Sequence, residues 1–189
     1  MLSTLRGKRK RNPEDIEIPS VSGLKLGALN IQGQQESMPE LALILDSGMS
    51  LPKPKWLDIL GTVETFQSKD GGNDYSAVKC YEFLGKPSND PDNRKGVGFW
   101  VKKKIIKRVS ILEPEYENEH TMWLRVLSTK GTLYLALAYA PYGNVEAAKE
   151  VFKAMKLNTL DLQTSGTVVW MGDLNARLPA ETGDTAKTK

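Results

Sequence analysis

Cysteine and histidine are almost missing from this chain. One cysteine, Cys80, among 189 residues excludes an internal disulfide and any zinc site built on several thiolates. Cys80 stands in an apolar run, which predicts a core position rather than a nucleophile. One histidine, His120, excludes a site with several imidazole ligands and leaves a single imidazole for proton transfer near neutral pH. It lies between Glu119 and Thr121 and reads as an ordinary strand-edge residue. No apolar run approaches the ~18 residues of a membrane span, and no signal-peptide core follows the N-terminus. The expectation is a protein inside the cell with no membrane partner, and nothing calls for an obligate protein partner. A large charge excess is also lacking: 26 Lys+Arg against 23 Asp+Glu leave +3, too little to announce a nucleic-acid binder. Forty per cent hydrophobic residues are enough for one core at this length.

Residues 1–22 are polar, with Arg6, Lys8, Arg9, Lys10 and Arg11 followed by an acidic, Pro-containing stretch, and read as a disordered basic arm. The Lys8–Arg11 run suits nuclear localisation, a nucleic-acid contact or simply a solvated tail. Patterned sequence runs over residues 23–180, and residues 181–189 are a polar tail. Leu24–Ile31 reads as a strand. Ser37-Met38-Pro39-Glu40 fits a capping box ahead of Met38, Leu41, Ala42, Leu45 and Met49 at helical spacing, with the Pro52/Pro54 linker ending the helix. A strand over Asp58–Thr65 closes on Glu64. Polar loops at residues 67–76 and 86–95 flank a strand over Ala77–Leu84, and Gly96–Val101 follows. Strands are expected at Ile105–Leu112, Met122–Leu127 and Leu133–Tyr139, with a hairpin turn at Thr129-Lys130-Gly131. Asn144 suits the N-cap of a helix through about Leu160, with Val145, Ala148, Phe152, Met155 and Leu162 as its apolar face. A last strand, Thr167–Met171, stops at Gly172. Strands interleaved with two helices argue for α/β or α+β with a mixed sheet.

Several strands end in oxygen-bearing side chains: Asn30, Glu64, and the pair Asp173 and Asn175. Ligands in α/β folds bind at carboxyl ends of strands. Hard cations such as Mg²⁺ take oxygen ligands, one or two of them carboxylates, and keep several waters. A cation held this way polarises a phosphate, and a second carboxylate can orient or deprotonate a water. Taken singly, each residue is more simply a strand-end polar group, and Gly172-Asp173 a turn. Spacing alone does not bring them together.

Five segments occur in a telling order: Leu29-Asn30-Ile31-Gln32-Gly33, Leu57-Asp58-Ile59-Leu60-Gly61-Thr62-Val63-Glu64-Thr65, Lys95-Gly96-Val97-Gly98-Phe99-Trp100-Val101, Ala138-Tyr139-Ala140-Pro141, and Met171-Gly172-Asp173-Leu174-Asn175-Ala176-Arg177. Together they resemble the endonuclease/exonuclease/phosphatase superfamily, which includes DNase I and the abasic-site endonucleases. Ala176-Arg177 adds a likeness to the endonuclease domains of non-LTR (LINE-type) retrotransposons. The resemblance implies a DNase I-like four-layered α/β sandwich, with two mixed sheets flanked by helices. It implies Mg²⁺ or Mn²⁺ as cofactor and DNA, or RNA, as substrate. Asn30 and Glu64 would position the metal, Glu64 as direct ligand. Tyr139 would contact the scissile phosphate, Asp173 would orient or activate the water, and Asn175 would support both. Arg94, Lys95 and Arg177 become candidate nucleic-acid contacts. Lys102, Lys103, Lys104, Lys107 and Arg108 either neutralise phosphates or form a solvated strand edge that discourages pairing.

One departure qualifies this. The family's domain continues through further strands to a late Asp and an Asp-His motif, and no such pattern follows Asn175. The second half of the fold is therefore expected to be incomplete, with residues 23–180 a partial domain. Loss of a preorganised charge stabiliser costs about 10²–10³ in rate, so catalysis by this chain alone is expected to be weak or absent. The rival readings are a phosphoesterase acting on RNA, inositol phosphates or lipid headgroups, and a non-catalytic remnant that binds nucleic acid.

Overall fold

In Ile59–Val63 and Leu133–Ala138 every residue is buried, so these two strands must be covered on both faces. The computed structural model describes residues 23–33, 37–47, 57–66, 75–76, 78–86, 96–116 and 118–175. The arm, the tail, Met49, Pro52, Pro54, Arg94, Lys95 and Arg177 lie outside them. In chain order the elements are β1 (Leu26–Asn30), α1 (Met38–Ala42, continued by a π-helical turn, Leu43–Ser47), β2 (Ile59–Val63), β3 (Tyr81–Lys86), β4 (Val97–Lys102), β5 (Val109–Leu112), β6 (Thr121–Ser128), β7 (Gly131–Tyr139), α2 (Val145–Leu162) and β8 (Thr167–Asp173).

They form two mixed sheets of four strands, ordered β1-β2-β4-β3 and β5-β6-β7-β8. Each sheet has one parallel pair at an edge, β1 with β2 and β7 with β8, and its other pairs are antiparallel. Each parallel pair is joined through a helix, because parallel neighbours need a crossover. Ile59, Val63, Phe99 and Val101 of the first sheet face Leu124, Leu133, Leu135 and Leu137 of the second in the central core. Met38, Leu41 and Leu45 cover the outer face of the first sheet against Leu60, Tyr81 and Trp100. Leu162 of α2 packs with Trp123, Tyr134, Ala136 and Trp170 on the outer face of the second. Helix, sheet, sheet, helix is the four-layered α/β sandwich expected. Among the described residues, no helix is long and apolar enough to cross a membrane.

Local expectations fail where tertiary contacts compete. Ser37 precedes α1 but makes no capping bond; its hydroxyl donates to the Ile31 carbonyl at 2.9 Å and ties the helix to the end of β1 instead. The strand expected over Ile105–Leu112 begins with a 3₁₀ turn, Ile106–Arg108, and only Val109–Leu112 pairs. Cys80 is exposed, because it sits at a bend just before β3 rather than inside the strand. Asn144 does cap α2, accepting from the Ala147 N–H at 3.1 Å. The apolar face of α2 is rotated, however: Val151, Ala154 and Asn158 are buried, while Val145 and Phe152 are exposed. Asn158 escapes an apolar-spacing search because its value is polar. Its amide bonds both the N–H (3.2 Å) and the carbonyl (3.0 Å) of Tyr116, satisfying a loop backbone that no strand pairs.

Asp58, which opens the second resembling segment, is structural. It is buried, accepts from the Lys25 backbone N–H at 3.1 Å, and meets Lys104 at 3.2 Å and Lys102 at 3.5 Å. Burial pushes its carboxyl up, but the Lys25 N–H and the Lys104 and Lys102 ammonium groups outweigh it and hold the carboxyl below its ordinary value. A depressed folded value contributes stability above the unfolded value of about 3.9 and loses it as pH falls through the folded one. Asp58→Asn is expected to cost about 1–2 kcal/mol, because Lys104 is largely solvated. Urea unfolding at neutral pH measures this, and the gap between the two proteins should close in acid. A gap that persists in acid would show that shape, not charge, holds the site.

Candidate functional site

The two parallel pairs run toward the same edge of the sandwich, so four strand ends meet there. Asn30 ends β1, Glu64 follows β2, Tyr139 ends β7 and Asp173 ends β8. The contact that joins the sheets is between side chains 143 residues apart: Asn30 Nδ2 donates to Asp173 Oδ2 at 3.0 Å. Asn30 Oδ1 accepts from the Gln32 N–H at 3.2 Å, which fixes the amide's orientation. Asp173 Oδ1 accepts from the Asn175 backbone N–H at 3.0 Å, so both carboxylate oxygens are held. The Asn175 side chain donates to the Ala140 carbonyl at 2.8 Å and anchors the turn after β8 to the end of β7.

Tyr139 pairs with Asp173 in the β7/β8 register. Burial pushes its phenol well above the ordinary tyrosine value, and the Glu64 carboxylate, which accepts its O–H, and the negative charge of Asp173 push it further. Tyr139 is therefore a protonated donor. A raised folded value favours the folded state below the unfolded value of about 10, and that contribution is lost as pH rises through the folded value. Absorbance titration of tyrosinate is expected to superimpose for wild type and Tyr139→Phe through the ordinary range. A missing tyrosinate in the variant there would mean that Tyr139 ionises normally.

Backbone strain is concentrated at this edge. Glu64 (φ +55°), Asn175 (φ +44°) and Gln32 (φ +45°) adopt left-handed conformations that side chains other than Gly rarely take. Such residues persist where surrounding contacts over-determine them. Here the Glu64 carbonyl accepts from the Gly33 N–H at 2.8 Å, tying the ends of β1 and β2 together. The strained turn carries Glu64 out of the line of β2.

Asn30, Glu64, Tyr139, Asp173 and Asn175 are thus brought together. Arg94, Lys95 and Arg177 lie outside the described residues. The Lys102–Arg108 cluster is at the other end of the first sheet: β4 runs antiparallel to β2, with Val97 beside Val63 and Val101 beside Ile59. Lys102 and Lys104 serve Asp58 there. His120 stands at the edge of β6, as expected, but it is not an ordinary surface position there. It is buried, its ring centroid lies 6.3 Å from that of Tyr139, and its carbonyl accepts the Tyr139 N–H at 2.9 Å. Hairpin register held the signal. Ser128 pairs with Gly131, and counting equally outward sets His120 opposite Tyr139.

Glu64 and Asp173 supply two carboxylates, and Asn30 and Asn175 two carboxamide oxygens. Among the described residues no three His, Cys, Asp or Glu cluster as a closed metal cage. Two carboxylates at one strand edge, both acting on the Tyr139 phenol, fit a hard cation that keeps most of its water.

Solved structures share this architecture at low identity. The catalytic domain of Xenopus laevis APE2 superposes with a TM-score of 0.61 at 19% identity, covering 81% of this chain and 59% of that one. The endonuclease domain of TRAS1, a telomere-specific non-LTR retrotransposon, gives 0.53 at 12%, covering 79% and 59%. A mannosyl-6-phosphatase of Bacteroides thetaiotaomicron gives 0.54 at 14%, covering 84% and 68%. The chain thus spans about three-fifths of the length of the APE2 and TRAS1 domains. No curated protein sequence matches significantly. The sequence profile of the Endonuclease/Exonuclease/phosphatase family matches residues 27–188, and the chain belongs to that family.

Proposed function

We propose that residues 23–180 carry a divalent-metal phosphodiesterase centre of DNA endonuclease type, on the retrotransposon branch of the family. The observation that carries this reading is the bond between Asn30 and Asp173, which joins the ends of two separate sheets beside Tyr139 and Glu64. Hydrolysis of a phosphodiester needs a site for the phosphate's charge, a donor to its oxygens and a directed water. Glu64, with Asn30 beside it, would hold Mg²⁺ or Mn²⁺. The cation, when bound, would polarise the phosphate and stabilise charge on its oxygens. Tyr139 keeps its proton and donates; a phosphate oxygen is the same kind of acceptor as the Glu64 carboxylate. Asp173, steadied by Asn30 and by the Asn175 N–H, orients the water and takes its proton as the new P–O bond forms and the P–O bond to the leaving oxygen breaks, the leaving alkoxide taking a proton from solvent water. Asn175 keeps the turn fixed through Ala140.

The DNA assignment is supported by the likeness to the fold of the TRAS1 endonuclease domain, and the branch by Ala176-Arg177 after Asn175. Arg94, Lys95 and Arg177 are proposed backbone contacts, and the Lys8–Arg11 run a nuclear-targeting segment. Supercoiled plasmid with Mg²⁺ is the test. At most weak nicking by wild type, and its loss in Glu64→Gln and Asp173→Asn, are expected. Nicking retained by both variants would overturn the site assignment. DNA binding without nicking by wild type would favour a non-catalytic remnant.

A further inference from the structure

The turn after β7 and the first turns of α2 expose more apolar surface than the fold explains. Tyr142 is 75% exposed, Val145 64% and Phe152 41%. They do not line the core, because the buried face of α2 is Val151, Ala154 and Asn158. Instead, with Lys149 and Leu174, they line an open groove of about 430 Å³ that reaches Asn175. That volume is within the range of about 300–1,000 Å³ common for small-ligand sites.

Three features select the occupant. The groove is continuous with the strand-end centre, because Asn175 lines it and also steadies Asp173. An exposed aromatic ring stands at its side, and rings of this kind stack on bases regardless of sequence. Among the described residues its lining includes one cation, Lys149, and no carboxylate. The ion pair of Lys149 with Glu146 (2.8 Å) is solvent-exposed on both sides and holds the ammonium only weakly. A flat, apolar, hydrogen-bonding group attached to an anionic backbone fits these features. We propose that the groove is a nucleobase subsite: it takes one base of a polynucleotide strand, stacked on Tyr142 and bordered by Phe152, next to the phosphodiester bound at the strand-end centre. The subsite rests on the phosphodiesterase reading for its location and extends it by making an unstacked base part of what is recognised. A duplex hides its base faces, so the preferred substrate is single-stranded or locally opened.

The test uses the full chain in EDTA, where metal-dependent hydrolysis is silent, and fluorescence anisotropy of two labelled single strands. One is an ordinary oligonucleotide; the other is the same backbone with abasic residues. Wild type is expected to bind the base-bearing strand about five- to hundredfold more tightly than the abasic one. Tyr142→Ala should erase that preference and Tyr142→Trp should keep it, with unfolding midpoints unchanged because the ring is mostly solvated. Equal affinity of wild type for both strands, or a preference that survives Tyr142→Ala, overturns the subsite. So does a dimer in sedimentation that Tyr142→Ala dissociates, which would give the groove to a second copy of the chain. Plasmid nicking measured in parallel separates the two claims. Base-dependent binding without nicking leaves the subsite standing and removes the catalytic reading; nicking without base preference does the reverse.

Discussion

Gly172→Ala is expected to destabilise the protein by about 3–5 kcal/mol, a large part of what a domain of this size has in reserve. Gly172 has φ +127°, a conformation that residues with a side chain rarely adopt. A Cβ there would also run into the carbonyl oxygen and amide nitrogen of Ala138, its neighbour in the β7/β8 register. Neither is the movable end of a flexible side chain; both belong to a buried central strand. The strands must part, and the parting falls one residue before Asp173 and beside Tyr139. Urea unfolding followed by tryptophan fluorescence measures the loss, since Trp170 lies in the same strand against Trp123 at 4.5 Å. Gly61→Ala is the comparison. A Cβ at Gly61 meets Leu137 Cδ1 at 2.6 Å and Met171 Sδ at 3.2 Å, both side-chain ends that can shift, so about 1–3 kcal/mol is expected. If Gly172→Ala costs no more than Gly61→Ala, the β7/β8 pair yields cheaply and the backbone argument fails.

Asp173→Asn is expected to lower plasmid nicking by about 10²–10⁴-fold, the usual worth of a positioned general base. The substitution keeps the shape and removes both the charge and a proton acceptor. It also turns one end of the side chain into a donor, so it cannot accept from both the Asn30 amide and the Asn175 N–H as the carboxylate does. Glu64→Gln should fall in the same range, but raising the metal concentration should restore part of its activity and none of Asp173→Asn. That follows if Glu64 acts by holding a cation, whose occupancy rises with concentration, and Asp173 by directing water. Thermal midpoints close to wild type for both variants would separate chemistry from folding. Equal rescue of both by metal would assign Asp173 to the cation as well and leave the water without its base.

The strand ends were legible in the sequence because each is a local event: an apolar run, then Gly or a polar residue. The helix capped by Asn144 was legible for the same reason. Features that depend on partners from elsewhere were not. Asp58 looks like part of a functional segment, yet it answers to Lys25, Lys102 and Lys104 at the ends of neighbouring strands. Cys80 looks internal by composition but falls at a bend. The face of α2 is rotated because Asn158, a polar residue, is the one buried, held by the Tyr116 backbone.

Composition and periodicity determined the mixed α/β class and the short list of oxygen-bearing side chains at strand ends, because both reside in neighbouring residues and local backbone preference and burial period are enough to express them. The family was legible only through the resemblance of the five ordered segments. Only the tertiary structure decided that Asn30 and Asp173, 143 residues apart, touch; that Tyr139 keeps its proton against Glu64; that His120 lies beside Tyr139; and that a groove opens from Asn175 toward Tyr142. Those contacts depend on how two sheets stack and which strand ends coincide. That arrangement is set by the packing of a shared core, and no local period encodes it.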